Sequence, residues 1–428
     1  MISVEQAQAK VLERIATLEP VRVGVLESLG CVLAADITSD VDVAPFDNSA
    51  MDGYAVRAVD TLGAAEDSPV VLRVVEHIPA GAFPRVPVGP GEATRIMTGA
   101  PVPEGADSIV MVERTEGLEN AGGAGGTVAI RQAASAGDHV RRRGEDVRAG
   151  DVVLRAGEVV GPAAVGLMSA VGAPMVDVYR RPRVAIVATG DELVDITEKP
   201  GPGMIRNSNS FSLAAQVLSA GGEPHVLDVA RDNVEDTTAL LSRAPEFDLM
   251  VSTGGVSMGD FDVVKGVLEQ IGEMDFWKVA MRPGAPQTYG TIGGTPFFGL
   301  PGNPTSTMVG FELFVRPAIR KMRGFAELYR PRTSAVLAED VRKKPDRRYF
   351  MRGRLERADS VAVAGTAEVS AAPETPAYTV RLSGSQSSAL LTAMHRGNCL
   401  ISLPEGASSL AAGTIVECIR LDMEEGTP

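Results

Sequence analysis

The chain has 428 residues, a formal net charge of −14, and 44% hydrophobic but only 4% aromatic residues. Its length predicts about three domains of roughly 150 residues each. The acidic balance argues against general binding to nucleic acid or to an anionic membrane surface, and the few aromatic residues argue against a stacking platform for single strands. An anionic substrate would therefore need local basic groups.

Cysteine usage and hydropathy bear on the cellular compartment. The three cysteines, Cys31, Cys399 and Cys418, lie far apart and form no CxxC pair, and the four histidines add no zinc pattern. This usage favours a reduced protein, so we expect a cytoplasmic location. No basic-then-apolar signal opens the chain and no apolar run reaches about 18 residues, so no membrane segment is predicted.

The first part of the chain predicts a helix followed by two kinds of β structure. Ser3 and Gln6 have capping-box spacing ahead of a helix with one apolar face. Residues 21–41 and 149–181 resemble each other as short strands and connections. Residues 42–148 contain Val-rich runs separated by Gly and Pro clusters, which is typical of an all-β block. We predict that this block is inserted into a small domain built from both flanks.

Polar loops within the β-rich block contain candidate site residues. Two carboxylates, an amide and a hydroxyl occur within residues 47–52, among them Asp52; a surface loop or a polar site both explain this composition. Thr98 ends a strand ahead of a Pro-rich turn. The arginines at 141–143 precede Asp146. They are either an exposed salt-bridged loop or a source of local positive charge.

From residue 182 strands alternate with helices of about ten or more residues, which predicts a parallel sheet with helices on both faces. The helices are predicted to begin at Asn209, at a cap formed by Asp232 and Glu235, and at Thr305. Ligands bind at the carboxyl ends of strands in such sheets. Four loops converge at this predicted edge: TGDEL at 189–193, STGGVSMGDFD at 252–262, KVAMRPG at 278–284 and GLPGNP at 299–304.

The second of these loops has the strongest local chemistry. Buried-strand residues lead into the Gly254-Gly255 turn, and the acidic residues Asp260 and Asp262 follow before the next helix. A glycine turn at a helix start presents backbone N–H groups to an anion, and nearby carboxylates can hold a cation. This predicts a metal-bridged phosphate or another oxyanion, whereas a tight connection with solvated aspartates is the alternative.

After Arg330 the chain returns to alternating strands, which predicts a small C-terminal β-barrel or sandwich. Arg347, Arg348, Arg352 and Arg354 concentrate positive charge on one hairpin. This hairpin is either a solvated face or a phosphate contact.

The whole set of motifs resembles one known family. FDNSAMDGYAV, RIMTGAPVPEGAD, RRRGEDV, VAIVATGDELV, IRNSNS, STGGVSMGDFDVVK and GLPGNPTS are similar, in order, to the motifs of molybdopterin molybdenumtransferases, the family of the gephyrin E domain. The resemblance implies a multidomain α/β plus β fold. Its expected parts are an α/β molybdopterin-binding domain (1–22 and 182–329), a connecting domain (23–41 and 149–181), a β-rich inserted domain (42–148) and a C-terminal β-barrel (330–428).

The resemblance also implies a reaction and its partners. Molybdate is inserted into the dithiolene of adenylylated molybdopterin, AMP is released, and Mg²⁺ serves as the metal cofactor. The family forms homodimers whose cleft lies between the α/β domain of one subunit and the β-rich domain and barrel of the other. An adenylyltransferase of the same pathway is an expected partner, whereas nucleic acid and membranes are not.

Site residues follow from the matching motif positions. The expected metal ligands are Glu192, Asp232 and Asp262. Residues expected from the other subunit, facing the pterin or the reacting phosphate, are Asp52, Thr98 and Asp146. The terminal phosphate is assigned to Ser252, Thr253, Gly254 and Gly255. Molybdate or the anhydride is assigned to Lys278 and Arg282. The adjacent wall is assigned to Pro301, Gly302 and Asn303, with Arg352 as a barrel contribution.

One segment departs from the family pattern and leaves alternatives open. The family commonly has KPGKP where this chain has RPGAP, with Arg282 and Ala285. A guanidinium keeps the charge with a different donor geometry, whereas the alanine removes a cation. A non-catalytic molybdopterin carrier is therefore an alternative, and adenylyltransfer from ATP is another. The preference between molybdate and tungstate is open.

Overall fold

The computed structural model describes residues 1–118, 124–254, 263–358 and 377–423. The chain divides into two units, Met1–Val21 with Tyr179–Pro428, and Arg22–Val178. The first unit contains the predicted α/β and barrel segments, and the second contains almost all of the connecting and inserted segments. The four predicted domain bounds stay predictions. None of the described helices is long and apolar enough to cross a membrane.

A six-stranded sheet is the centre of the first unit. Its strands, in spatial order, are Glu223–Val226, Arg183–Ala188, Leu249–Thr253, Thr295–Leu300, Pro286–Ile292 and Gly272–Lys278. The first four are parallel, as predicted, and the last two extend the sheet as antiparallel strands. Side chains of strand Arg183–Ala188 alternate between two hydrophobic cores. Val184 and Ile186 pack in one core, and Ala185 and Val187 pack in the other.

Helices cover the sheet and differ from the prediction mainly at their starts. Their bounds are Val4–Glu13, Ser208–Ser219, Val234–Leu241, Val263–Ile271 and Pro304–Gly310, the last continuing through the π-helical turn Phe311–Val315 into Arg316–Met322. The predicted cap at Asp232 is wrong. Asn233 caps that helix by accepting from the N–H of Asp236, because the neighbouring asparagine is an equally good capping residue.

The N-terminal helix packs on the α/β segment. Its capping box is confirmed: Ser3 Oγ accepts from the N–H of Gln6, and Gln6 Oε1 accepts from the N–H of Ser3. Gln8 Nε2 donates to the carbonyl oxygen of Leu313 at 3.0 Å, within the π-helical turn. Tyr289 Oη donates to the carbonyl oxygen of Val11 at 3.1 Å.

The C-terminal region forms the closed five-stranded barrel that the fold prediction requires. Its strands are Arg332–Leu337, Arg348–Arg357, Tyr378–Leu382, Cys399–Leu403 and Ile415–Arg420. The ring closes because the second strand pairs with both the third and the fourth. A short strand of the α/β segment, Met281–Arg282, joins the barrel by pairing in parallel with Arg348 and Tyr349. Smaller elements of this unit are Leu193–Val194 paired with Ile205–Arg206, Val341–Arg342 paired with Ser409–Leu410, and the helices Ala244–Glu246 and Leu391–Arg396.

The second unit contains a six-stranded β sheet and a small connecting region. The sheet order is Ser108–Met111, Gly53–Val56, Glu92–Ile96, Val70–Ile78, Thr127–Ile130 and Thr115–Gly117. The connecting region contains the helix Pro162–Ala170 and the strand pairs Pro20–Gly24 with Met175–Tyr179 and Ile37–Thr38 with Val152–Leu154. Asn48–Ser49 pairs with Val140–Arg141, and short 3₁₀ turns cover Ala58–Thr61 and Val112–Arg114.

Candidate active site

A cleft of about 1160 Å³ opens at the carboxyl ends of the parallel strands. Each of the four predicted loops contributes to its lining: Thr189, Gly190 and Glu192; Thr253 and Gly254; Arg282, Pro283 and Gly284; Pro301, Gly302, Asn303 and Pro304. The convergence of these loops is therefore confirmed. This volume exceeds the roughly 300–1000 Å³ of ordinary small-molecule pockets, so the cleft suits a large ligand.

The glycine turn after strand Leu249–Thr253 brings two backbone segments into close contact. Gly254 has φ +94°, and a Cβ there would lie 2.6 Å from the carbonyl oxygen of Thr189. A Cβ on Gly302 would lie 3.5 Å from the Cα of Gly254. The N–H of Gly254 donates to the carbonyl oxygen of Leu300 at 3.2 Å, so this amide is already used within the fold. Glycine is required at residue 254, both because of its positive φ and because a Cβ would collide with the backbone of Thr189.

Asn209 fixes the glycine turn to the neighbouring loop. Its Nδ2 donates to Thr253 Oγ1 at 3.0 Å and to the carbonyl oxygen of Gly302 at 2.8 Å. The Oδ1 atom of Asn209 is buried and has no hydrogen-bond partner among the described residues. The same is true of the Oγ1 atom of Thr189. Buried polar atoms without partners are rare and are expected where a ligand or water completes a site.

The charges of the cleft differ from those of the whole chain. Against a net charge of −14, the described lining contains four basic side chains, Arg206, Arg282, Lys344 and Arg347. The described lining also contains three acidic side chains, Glu192, Asp232 and Asp346. The local positive charge that an anionic ligand needs is therefore present in this cleft.

Glu192 and Asp232 are the acidic residues from the α/β segment in the cleft. Asp191 and Asp232 each accept from the other's backbone N–H, at 3.2 and 3.4 Å, which joins the two loops. No group of three or more His, Cys, Asp or Glu arranged to hold a metal is found among the residues that the structure describes. Mg²⁺ is usually held by only one or two carboxylates together with waters and substrate phosphates, so these two carboxylates fit such an ion.

The barrel of the same chain also lines the cleft, through Lys344, Arg347 and the loop around Gln386 and Ser388. The family resemblance had implied that the barrel of the other subunit would line the cleft. Arg347 was recognised as part of a basic hairpin, whereas Lys344 and the loop were not singled out.

Arg352 holds this barrel loop and does not itself line the cleft. Its side chain is 2% exposed, and its Nη2 donates to the carbonyl oxygens of Ser385 and Ser387, each at 3.2 Å. Gln386 in turn bonds the backbone of Arg352 in both directions. Burial lowers the pKa of Arg352 to about 10, so the guanidinium remains charged at neutral pH. The loop on the cleft wall therefore rests on a buried cation.

Some predicted site residues lie elsewhere. Ser252 is fully buried within its strand and is absent from the lining. Lys278 is exposed at the end of the antiparallel strand Gly272–Lys278 and is likewise absent from the lining. Gly255 and Asp262 lie outside the described residues.

In the second unit, Asp52 and Thr98 are joined by hydrogen bonds. The N–H and the hydroxyl of Thr98 both donate to Asp52 Oδ1, each at 2.7 Å. These two bonds lower the pKa of Asp52, so it is a partly exposed carboxylate that is ionised at neutral pH. Asp146 is also exposed.

The arginines at 141–143 are partly engaged in the same unit. Arg142 Nη1 bonds Asp47 Oδ2 at 2.8 Å, and Arg143 bonds Asp42. The salt-bridged loop expected as one alternative is thus present.

Comparison with known proteins shows the family of the chain. The family models "MoeA N-terminal region (domain I and II)", "Probable molybdopterin binding domain" and "MoeA C-terminal region (domain IV)" match residues 2–172, 185–321 and 334–421. A curated protein of Mycobacterium tuberculosis, molybdopterin molybdenumtransferase 2, is 41% identical over 97% of this chain and 98% of its own. The chain belongs to the molybdopterin molybdenumtransferase family. Membership assigns it to molybdenum cofactor biosynthesis and to the transferases.

Other members of the molybdopterin molybdenumtransferase family agree in sequence and in fold. The Staphylococcus aureus enzyme is 35% identical over 98% of this chain and 95% of its own. A crystal structure of a molybdopterin biosynthesis MoeA protein from Pyrococcus horikoshii superposes with a TM-score of 0.78 at 32% identity, covering 99% of this chain and all of that one. The predicted fold class is confirmed.

Proposed function

We propose that this chain transfers molybdenum from molybdate to the dithiolene of adenylylated molybdopterin. The phosphoanhydride between the pterin phosphate and the adenylate is hydrolysed by water, and AMP leaves. The two dithiolene sulfurs replace two oxo groups of molybdate, which take up protons and leave as water. The observation that carries this proposal is the combination, in one cleft, of four basic side chains with a glycine turn and two carboxylates of the α/β segment.

The physical demand of this reaction is to bring two anions together. Molybdate and a phosphoanhydride repel each other, and fixed cations in a partly enclosed site reduce that repulsion without reorganisation. Arg282 meets this demand, because it lines the cleft and its guanidinium is held 5.6 Å from the ring centre of Tyr349. Arg206 adds a second cation from the α/β segment.

We propose Mg²⁺ as the metal cofactor, held by Glu192 and Asp232. When bound, the ion would neutralise charge on the phosphoanhydride. Asp262 stays a proposed third ligand on the family motif alone. The carboxylate of Asp232 also joins the two loops, since it accepts from the N–H of Asp191 while the carboxylate of Asp191 accepts from the N–H of Asp232.

Magnesium dependence gives a direct prediction. Glu192→Gln and Asp232→Asn should each raise the Mg²⁺ concentration needed for half-maximal AMP release by about tenfold, because each removes one charged ligand. Asp195→Asn is the matched control, since Asp195 bonds Thr197 and is absent from the cleft lining. Titration of AMP release with Mg²⁺, after removal of metal by a chelator, measures the effect. Identical titration curves for all the proteins would contradict the assignment.

We further propose a homodimer in which Asp52, Thr98 and Asp146 of the partner complete the cleft, with the pathway's adenylyltransferase delivering the substrate. The partly exposed, ionised Asp52 supports this role, because two hydrogen bonds from Thr98 hold its carboxylate in a fixed geometry. A cytoplasmic location is proposed from three buried, unbridged thiols, and cell fractionation tests it.

The test of the function is AMP release by the full-length chain. Adenylylated molybdopterin and Mg²⁺ are supplied with and without molybdate, and AMP is quantified by chromatography. Molybdate-dependent release is expected, and tungstate in a parallel reaction measures the preference between the two oxyanions. Tight substrate binding without release would indicate the carrier alternative, and AMP-forming consumption of ATP would indicate adenylyltransfer.

A further inference from the structure

The barrel turn at 343–348, which leads into strand Arg348–Arg357, is structurally joined to the Arg282 loop. Met281 and Arg282 pair in parallel with Arg348 and Tyr349. The N–H of Arg348 also donates to the carbonyl oxygen of Ala280 at 3.1 Å. A shared β ladder couples the positions of the two segments, so the barrel turn and the Arg282 loop form one wall of the cleft.

Lys343 stabilises this turn through hydrogen bonds from its buried side chain. The side chain is 9% exposed, and its Nζ donates to the carbonyl oxygens of Lys344 at 3.1 Å and of Arg347 at 3.2 Å. The same Nζ lies 4.9 Å from the ring centre of Tyr349, whose ring also carries the Arg282 guanidinium. Lys343 therefore stabilises the turn, and the ring of Tyr349 contacts both Lys343 and Arg282.

The two remaining cations of the turn line the cleft. Lys344 and Arg347 are half of the basic side chains in its described lining, whereas Ala285, which also lines the cleft, carries no charge. The alternative to an anion-binding role is a solvated surface turn, because Arg347 Nε already donates to Asp346 Oδ2 at 2.7 Å. Such an exposed pair contributes little to stability, and it would leave an anion in the cleft unaffected.

We propose that Lys344 and Arg347 form an oxyanion subsite in this cleft, and that Lys343 and Tyr349 position it. The subsite takes a tetrahedral oxyanion of charge two or near it, supplied either by the phosphate of the adenylylated substrate or by molybdate. It supplies from the barrel the positive charge that Ala285 does not supply from the α/β loop. This assignment rests on the proposed function for the identity of the two anions.

Binding of each anion to the full-length protein tests the subsite. Calorimetric titrations with AMP and, separately, with molybdate compare wild type with a Lys344→Gln, Arg347→Gln double variant at one fixed ionic strength. The variant should bind at least one of the anions about tenfold or more weakly, because two charge-assisted contacts are lost. The anion that loses affinity identifies the source of the oxyanion.

Arg342→Gln is the matched control, since Arg342 is an exposed cation next to the same turn and is absent from the cleft lining. It should bind both anions within about twofold of wild type, because only local contacts are at issue. A double variant that also binds both anions as wild type does would overturn the subsite. Equal weakening by Arg342→Gln would also overturn it, because the effect would then reflect general surface charge.

The positioning role of Lys343 has its own readout. Lys343→Met should weaken the same anion as the double variant does, and Lys343→Arg should restore most of the affinity, since a guanidinium can again donate to two carbonyl oxygens. Wild-type affinity in Lys343→Met would remove Lys343 from the subsite.

Molybdate-dependent AMP release, measured on the same preparations, separates this inference from the proposed function. Wild type that releases AMP, beside a double variant with unchanged anion affinity, overturns the subsite alone. Wild type that binds neither anion overturns the subsite as well, and the AMP measurement then shows whether the proposed function fails with it.

Discussion

Gly254→Ala is expected to lower molybdate-dependent AMP release by about 100-fold or more and to destabilise the first unit by roughly 2–4 kcal/mol. The new methyl group would lie 2.6 Å from the carbonyl oxygen of Thr189 and 2.8 Å from its Oγ1, at a backbone φ of +94°. Backbone must shift to relieve that contact, and the shift displaces the loops that line the cleft. Thermal unfolding and AMP release measure the two effects.

Gly203→Ala separates the clash from the cost of the backbone conformation. Gly203 also has a positive φ, +78°, but nothing lies within 4 Å of a Cβ built there, and it is absent from the cleft lining. Only the left-handed strain of about 1–2 kcal/mol is then expected, with activity retained. Matching losses in both variants would contradict the role assigned to the close packing of Gly254 on Thr189.

A mixture of two inactive variants is expected to regain activity. Arg282→Ala and Asp52→Ala should each lower AMP release by about 100-fold, because each removes a fixed charge from the proposed site. In a symmetric dimer with shared clefts, random exchange leaves half of the dimers mixed, and each of these has one intact site. The mixture should therefore recover up to about a quarter of wild-type activity, measured after subunit exchange.

The control mixture combines Arg282→Ala with Asp232→Asn at limiting Mg²⁺. Both residues line the cleft of the first unit, so no mixed dimer would contain an intact site. No recovery is expected there. Absence of recovery with Asp52→Ala, once exchange is verified, would contradict the proposal that the partner completes the cleft.

The sequence predicted the loops of the site because its topology is simple. Alternating strands and helices imply parallel strands, and parallel strands bring their carboxyl ends to one edge. The loops at Thr189, Thr253, Arg282 and Pro301 therefore met in the cleft as expected. The glycine turn could also be predicted from the sequence, because a Gly pair directly after an apolar run marks a sharp turn.

Residues whose role depends on tertiary packing were missed. Asn209 was interpreted as a helix start, although its amide bonds Thr253 and Gly302 across two other loops. Its position in the IRNSNS motif was the available signal. Asp232 was assigned both as a helix cap and, from the family motif, as a metal ligand; Asn233 takes the capping role, whereas Asp232 does line the cleft. Capping propensity alone does not separate two adjacent polar residues.

The basic hairpin shows a further limit of sequence patterns. Four arginines near residue 350 predicted one charged surface, yet the fold distributes them differently. Arg347 lines the cleft, Arg348 pairs with Glu5 of the N-terminal helix, and Arg352 is buried against the loop it supports. Strand alternation separates neighbours by face, but which face meets the α/β segment is fixed only by the barrel's closure and packing.

A crystal structure of the full-length chain with adenylylated molybdopterin, grown without molybdate, would show whether this cleft holds the phosphate-bearing substrate. We predict substrate phosphates within hydrogen-bonding distance of Arg282 and of the barrel turn at Lys344 and Arg347, beside the glycine turn at Gly254. Substrate bound elsewhere, with this cleft occupied only by solvent, would overturn the proposed function.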